Sequence, residues 1–183
     1  MVHITMKYQK GDTLTEVMFA TAIAALVIIL GVAVMNRGLA QTQLAVETTF
    51  VRQAIDSQAE ILRYARDDYK TNPGAGAGGS KVWQDIVARA KSSASDFGTC
   101  NLPIPGQFFV SQDNLNNLTV NTNVQQANTF ATIGEGLWVE AVSGTNVANS
   151  NIRYLDLHIR ACWQPPFEGP ESTLGTIVRL YYE

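Results

Sequence analysis

The chain has 183 residues, 46% of them hydrophobic, and a formal net charge of −3. That length allows one modest domain with its own core, and the mildly acidic balance argues against an electrostatic nucleic-acid surface spread over the whole molecule. Two cysteines and two histidines leave little material for a metal centre or a nucleophile–base pair.

Residues 1–11 carry Lys7 and Lys10 and no acid. Secretory signals also begin with basic residues, but their apolar core is only about 7–15 residues long and ends at a small-residue cleavage site. Here Gly11 and a polar step, Asp12 to Thr15, lead to one carboxylate, Glu16. About 19 uncharged residues follow, Val17 to Met35, enough to cross a ~30 Å hydrocarbon core as one helix. In lipid a helix satisfies every backbone polar group within its own segment. The basic end predicts an N-in orientation, although Arg37 places one positive charge beyond the span. A carboxylate at membrane depth is costly and points to a function with a partner. The plainer alternative is that Glu16 reaches the headgroup layer.

The fixed order Gly11, Thr13-Leu14, Glu16-Val17 and an unbroken apolar helix resembles the leader of type IV pilins and pseudopilins. The resemblance covers Lys10 to Met35. It implies that a prepilin peptidase on the cytoplasmic side cuts after Gly11 and methylates the new amine, on Asp12, while the helix stays in the product. It also equates Glu16 with the family's fifth mature residue, a glutamate that serves assembly. Asp12 stands where the family prefers Phe, and Thr15 where it prefers Ile. The implied partners are other copies of the chain or related pilins in a helical filament, the peptidase, and an inner-membrane assembly platform. The implied path runs from the cytoplasmic membrane, with the head outside, to an extracellular filament at the cell surface. The implied fold is α+β: a long N-terminal helix packed against a small antiparallel β-sheet head.

The residues beyond the span agree with such a helix. No proline interrupts Asp12 to Asn72, and the only glycines are Gly31 and Gly38, each costing ~1 kcal/mol against alanine. The transmembrane half covers 12–36 and the amphipathic half 37–72. In the latter, Val51, Ile55, Gln58, Leu62, Ala65 and Tyr69 recur by fours and threes and form one stripe. Phe50, Ala54 and Ile61 widen it, while Arg52, Asp56, Glu60, Arg63, Arg66 and Asp67 take the other side. The alternative is a signal anchor followed by a separate soluble helix, with the break near Asn36-Arg37-Gly38. Asn72-Pro73 stops the helix, and the glycine-rich 73–79 reads as a flexible connector.

The head, 80–183, opens with Ser80 as cap of a short helix through about Ala94, whose face is Val82, Trp83, Ile86, Val87 and Ala90. Phe108 to Ser111 is a short strand candidate, and Gln112 to Asn128 a long polar loop or weak hairpin. Leu137–Val142, Ile152–Trp163 and Thr173–Tyr182 are stronger strands. Along Arg153–Trp163, Leu155, Leu157, Ile159, Ala161 and Trp163 alternate with Tyr154, Asp156, His158 and Arg160, the pattern of a half-buried antiparallel strand. This predicts a sheet of three or four strands on the outer half of the helix. In an extracytoplasmic domain, Cys100 and Cys162 favour a disulfide over two unpaired thiols. By strict alternation Cys162 shares the polar face, so the bond would lie on the outer face or need a bulge.

No catalytic constellation, metal site or cofactor motif is expected. His158 has no nucleophile elbow nearby, and the cysteines and histidine lack zinc spacing. Asp113, Asn114, Asn116 and Asn117 offer oxygens without EF-hand order, and Asn117-Leu118-Thr119 matches a glycosylation sequon. The function expected is that of a structural filament subunit, major or minor, and not an enzyme. The alternatives are a pseudopilin of a secretion or DNA-uptake system and an uncleaved, signal-anchored extracytoplasmic binding domain.

Overall fold

The computed structural model describes residues 13–95, 106–114, 117–122, 134–145, 153–163 and 171–182. The chain forms two compact units, Met1–Gln43 and Leu44–Glu183. Helix α1 runs Thr13–Thr71, 59 residues, so the passage through Asn36, Arg37 and Gly38 is helical.

In the first unit the helix is exposed from Leu14 to Leu39: Phe19 is 72% and Ile28 65% accessible. Its length and composition suffice to cross a membrane. Thr21 and Thr42 donate their hydroxyls to the carbonyls of Met18 and Gly38, at 3.0 and 2.9 Å. These polar groups are therefore satisfied inside the helix, as an apolar surrounding requires.

In the second unit the stripe read from the sequence is the buried one. Val51, Ile55, Gln58, Leu62 and Ala65 are buried and Tyr69 is half-buried; Ala59, outside the stripe as read, is buried beside them, while Arg52, Asp56, Glu60 and Arg63 are exposed. Phe50 does not widen it; this ring is 54% exposed, because position 50 lies about 100° round the helix from Val51. Gln58 is the one polar member of the stripe. Its amide donates to the Val110 carbonyl at 2.7 Å and its carbonyl accepts from the Val110 N–H at 3.2 Å. Such pairing lets a helix bury a polar side chain against a strand without an unsatisfied group.

Helix α2 is Gly78–Ala88, shorter than expected at its end and earlier at its start. Its N-cap, Ala77, has no side chain to offer. Asp68 of α1 does the work instead: Oδ2 accepts from the Ser80 N–H at 2.8 Å, and Oδ1 from Asn72 Nδ2 at 3.2 Å. Ser80, buried in the first turn, donates to the Asn72 carbonyl at 2.9 Å. At Gly79 an added Cβ would lie 3.0 Å from the Ala65 Cα, so the backbones of α1 and α2 meet directly. Replacing Asp68 by alanine is expected to cost about 1–2 kcal/mol, the usual worth of a side-chain cap. A lower urea midpoint at unchanged slope would show it.

Strands β1 (Phe109–Asn114) and β2 (Asn117–Asn121) pair as an antiparallel hairpin, with a bulge between Gln112 and Asn114. The hairpin is thus what part of the polar stretch forms. Strands β3 (Gly134–Thr145), β4 (Arg153–Trp163) and β5 (Ser172–Tyr181) make an antiparallel sheet in the order β3-β4-β5. One face carries Leu155, Leu157, Ile159 and Ala161 into a core shared with Val51, Leu62, Trp83 and Phe108. The ring of Trp83 meets Tyr182 edge-on at 5.7 Å. The outer edge of β3 is occupied. Lys91 exchanges bonds with Ala141 and Ser143, both 2.9 Å, and Phe108 pairs with Val139. That docking of Lys91 draws the chain out of helix soon after Ala88, overriding local propensity.

Candidate functional site

Two places carry the residues singled out by sequence. The first is the start of α1. Glu16 lies in its first turn and is exposed, directly ahead of the uncharged run. An N-terminal turn holds free N–H groups and the positive end of the helix dipole, so a carboxylate is less costly there than in mid-helix. Gly11 and Asp12 lie outside the described residues.

The second is the face of the sheet opposite Leu155 and Leu157. The sequence places Arg160 and Cys162 on a solvated polar face. That expectation fails: Arg160 is 6% exposed and Cys162 fully buried. The reason at Arg160 is a covering segment that local alternation cannot reveal. The Ser95 N–H donates to Glu140 Oε2 at 2.9 Å, and Arg160 Nη2 donates to the Ser95 carbonyl at 3.0 Å. Glu140 is itself fully buried, with Oε1 3.5 Å from Arg160 Nη1. Glu140 faces His158 in register and Trp138 faces Arg160, so the ion pair runs diagonally between β3 and β4. Sequence reasoning missed Glu140. The available signal was its two-residue step from Trp138, on the same side of the strand.

The bulge considered for Cys162 occurs in β3 instead, where the register shifts between Gly134 and Gly136 opposite Trp163 and Cys162. Cys100 lies outside the described residues. His158 is half-buried, and burial, followed by the nearby Arg160 charge, lowers its pKa from the ordinary 6.5. The imidazole is therefore neutral at pH 7.

Toward the far end of this face, Arg179 holds Asp156 through two bonds of 2.7 Å and lies 4.1 Å over the Tyr154 ring. The Asp156 bond raises the Arg179 pKa above its ordinary level. Among the described residues no cluster of His, Cys, Asp and Glu could hold a metal ion.

These elements define a class. The chain is an α+β protein with a pilin-like plan, in which a long N-terminal helix, apolar enough to span a membrane, leads to a head of helix and small antiparallel sheets. No family model, no curated protein and no solved structure matches it.

Proposed function

We propose that this chain is a structural subunit of a type IV pilus-like filament, held in the membrane as a precursor and assembled through its N-terminal helix. The observation that carries this reading is the exposed, uncharged helical run with Glu16 in its first turn. Such a surface needs lipid or a bundle of like helices. After cleavage at Gly11, the run leaves lipid for the filament core, where Glu16 pairs with the amine of a neighbouring subunit's Asp12. A buried carboxylate without a partner costs several kcal/mol, so the pair acts as a register device. The head stays outside the membrane throughout, and no catalytic role is proposed for it.

The test is processing and recovery. Gly11→Val is expected to leave a precursor that keeps its leader, while the native chain, cut after Gly11, appears in sheared surface filaments. Normal processing of Gly11→Val, or native protein that begins at Met1, sinks the reading in favour of an uncut anchored domain. Native chain that is cut but found only beside a secretion channel makes it a pseudopilin.

In the same reading the head carries a Cys100–Cys162 disulfide, supported by the burial of Cys162 and by an oxidising location. Closing a loop of roughly 60 residues constrains the unfolded chain by about 4 kcal/mol in the entropy model. The isolated protein should have a mass two hydrogens below the reduced chain, and Cys100→Ser should cost about 2–5 kcal/mol of head stability. Thiols that titrate freely in the folded protein would defeat it.

A further inference from the structure

We infer that Gln107, Trp138 and Glu140 form a buried site for a single water molecule, through which the Glu140 carboxylate holds the chain at Gln107 as well as at Ser95. The placement comes from register. Phe108 exchanges two backbone bonds with Val139, of 3.0 and 2.6 Å, in an antiparallel bridge. One step back along that edge, Gln107 stands beside Glu140, the next residue of β3. Phe108 and Val139 both belong to the apolar core, so by alternation Gln107 and Glu140 share the opposite, covered face. Trp138 is on that face too, two residues from Glu140 and in register with Arg160.

All three side chains are closed off from solvent; Gln107 and Trp138 are each 3% exposed and Glu140 not at all. Yet Gln107 Oε1 and Nε2, Trp138 Nε1 and Glu140 Oε1 have no hydrogen-bond partner among the described residues. Native interiors leave few such atoms, because each one forfeits its bonds to water on burial. Neighbouring polar groups that lie beyond direct bonding range are the setting in which a water bridges them.

The chemistry of these atoms selects the occupant. Glu140 Oε1 and Gln107 Oε1 accept, while Trp138 Nε1 and Gln107 Nε2 donate, so the occupant must do both. It carries no charge, because Arg160 Nη1 already stands 3.5 Å from Glu140 Oε1. A cation there would face the guanidinium and an anion would face the carboxylate. It is small, because the side chains around it are sealed from solvent. Water meets every condition: it accepts from Trp138 Nε1, donates to Glu140 Oε1 and bonds the Gln107 amide, the usual complement of about three bonds.

The consequence lies in what Glu140 then joins. Its Oε2 accepts from the Ser95 N–H at 2.9 Å, and its Oε1 reaches Gln107 through the water. The chain that leaves at Ser95 and returns at Gln107 is tied at both ends to one carboxylate of β3. The site does not depend on the filament reading.

The experiment is nuclear magnetic resonance of the full-length chain in detergent with isotope-labelled tryptophan. The Trp138 indole N–H, assigned by its loss in Trp138→Phe, should show a cross-peak to water with the sign of a long-lived bound molecule. Gln107→Leu should abolish that cross-peak, and relaxation dispersion of the water oxygen should count one long-lived water fewer. An unmoved Trp83 indole signal shows that the fold is kept; Gln107→Met takes the place of the leucine variant if that signal shifts. The inference is overturned by a native chain without the cross-peak, or by one whose sign is that of short-lived surface water. It is equally overturned by a water count that Gln107→Leu, or Gln107→Met in its place, leaves unchanged.

Discussion

Glu16→Ala is expected to leave membrane level and cleavage near normal while sharply lowering the ratio of this chain in sheared filaments to that in membranes. Insertion gains nothing from the carboxylate, and removing an acid beside an apolar span makes insertion slightly easier. Filament entry is different on the proposed reading, because the helix moves into a core of low dielectric where an unpaired amine is penalised. Removing one partner of a buried pair costs about 3–5 kcal/mol, which corresponds to more than about a hundredfold in partition. Glu16→Asp should fall between, since its carboxylate sits one methylene shorter. An unchanged ratio for Glu16→Ala would reduce Glu16 to a headgroup-level residue at a helix N-terminus.

The second large effect concerns the covered face of the sheet. Arg160→Met should destabilise the head by about 3–5 kcal/mol, because it leaves the Glu140 carboxylate buried without its cation. The Glu140→Leu/Arg160→Met double variant should recover most of that loss, since both costly desolvations disappear together. Glu140 also accepts from the Ser95 N–H, so the double variant leaves that donor to find another acceptor and falls short of full recovery. The readout is tryptophan fluorescence during urea unfolding of the full chain in detergent; all three tryptophans, Trp83, Trp138 and Trp163, belong to the head. Equal stability of Arg160→Met and native chain would mean that Arg160 does not neutralise Glu140.

The particular elements show which features local patterns encode. The stripe from Val51 to Ala65 was legible because a helix that buries one face must repeat its apolar residues every three or four positions. The alternation of β4 was legible for the same reason with a period of two, and its inward residues Leu155, Leu157, Ile159 and Ala161 are all buried. The uncharged run after Glu16 needed only composition and length. Phe50 was misplaced by allowing the stripe too much width, a matter of helical angle that the sequence itself contains.

What no local pattern holds is which segment covers which. Strict alternation sends Arg160 and Cys162 to solvent, yet both are buried, and Arg160 bonds a segment 65 residues away in sequence. Ser80 has the residue type of a cap, but the cap of α2 comes from Asp68 on another helix. The Gln58–Val110 bonds span 52 residues, and α2 ends early because Lys91 finds the edge of β3. The sequence by itself determined the apolar helix, its single carboxylate and the periods of helix and strand, because these are properties of neighbours along the chain. The tertiary structure alone decided the buried Glu140–Arg160 pair, the cross-helix cap and the pairing of Lys91 and Phe108 with the edge of β3. Each of those joins groups far apart in sequence, through desolvation and hydrogen bonds that exist only once the segments meet.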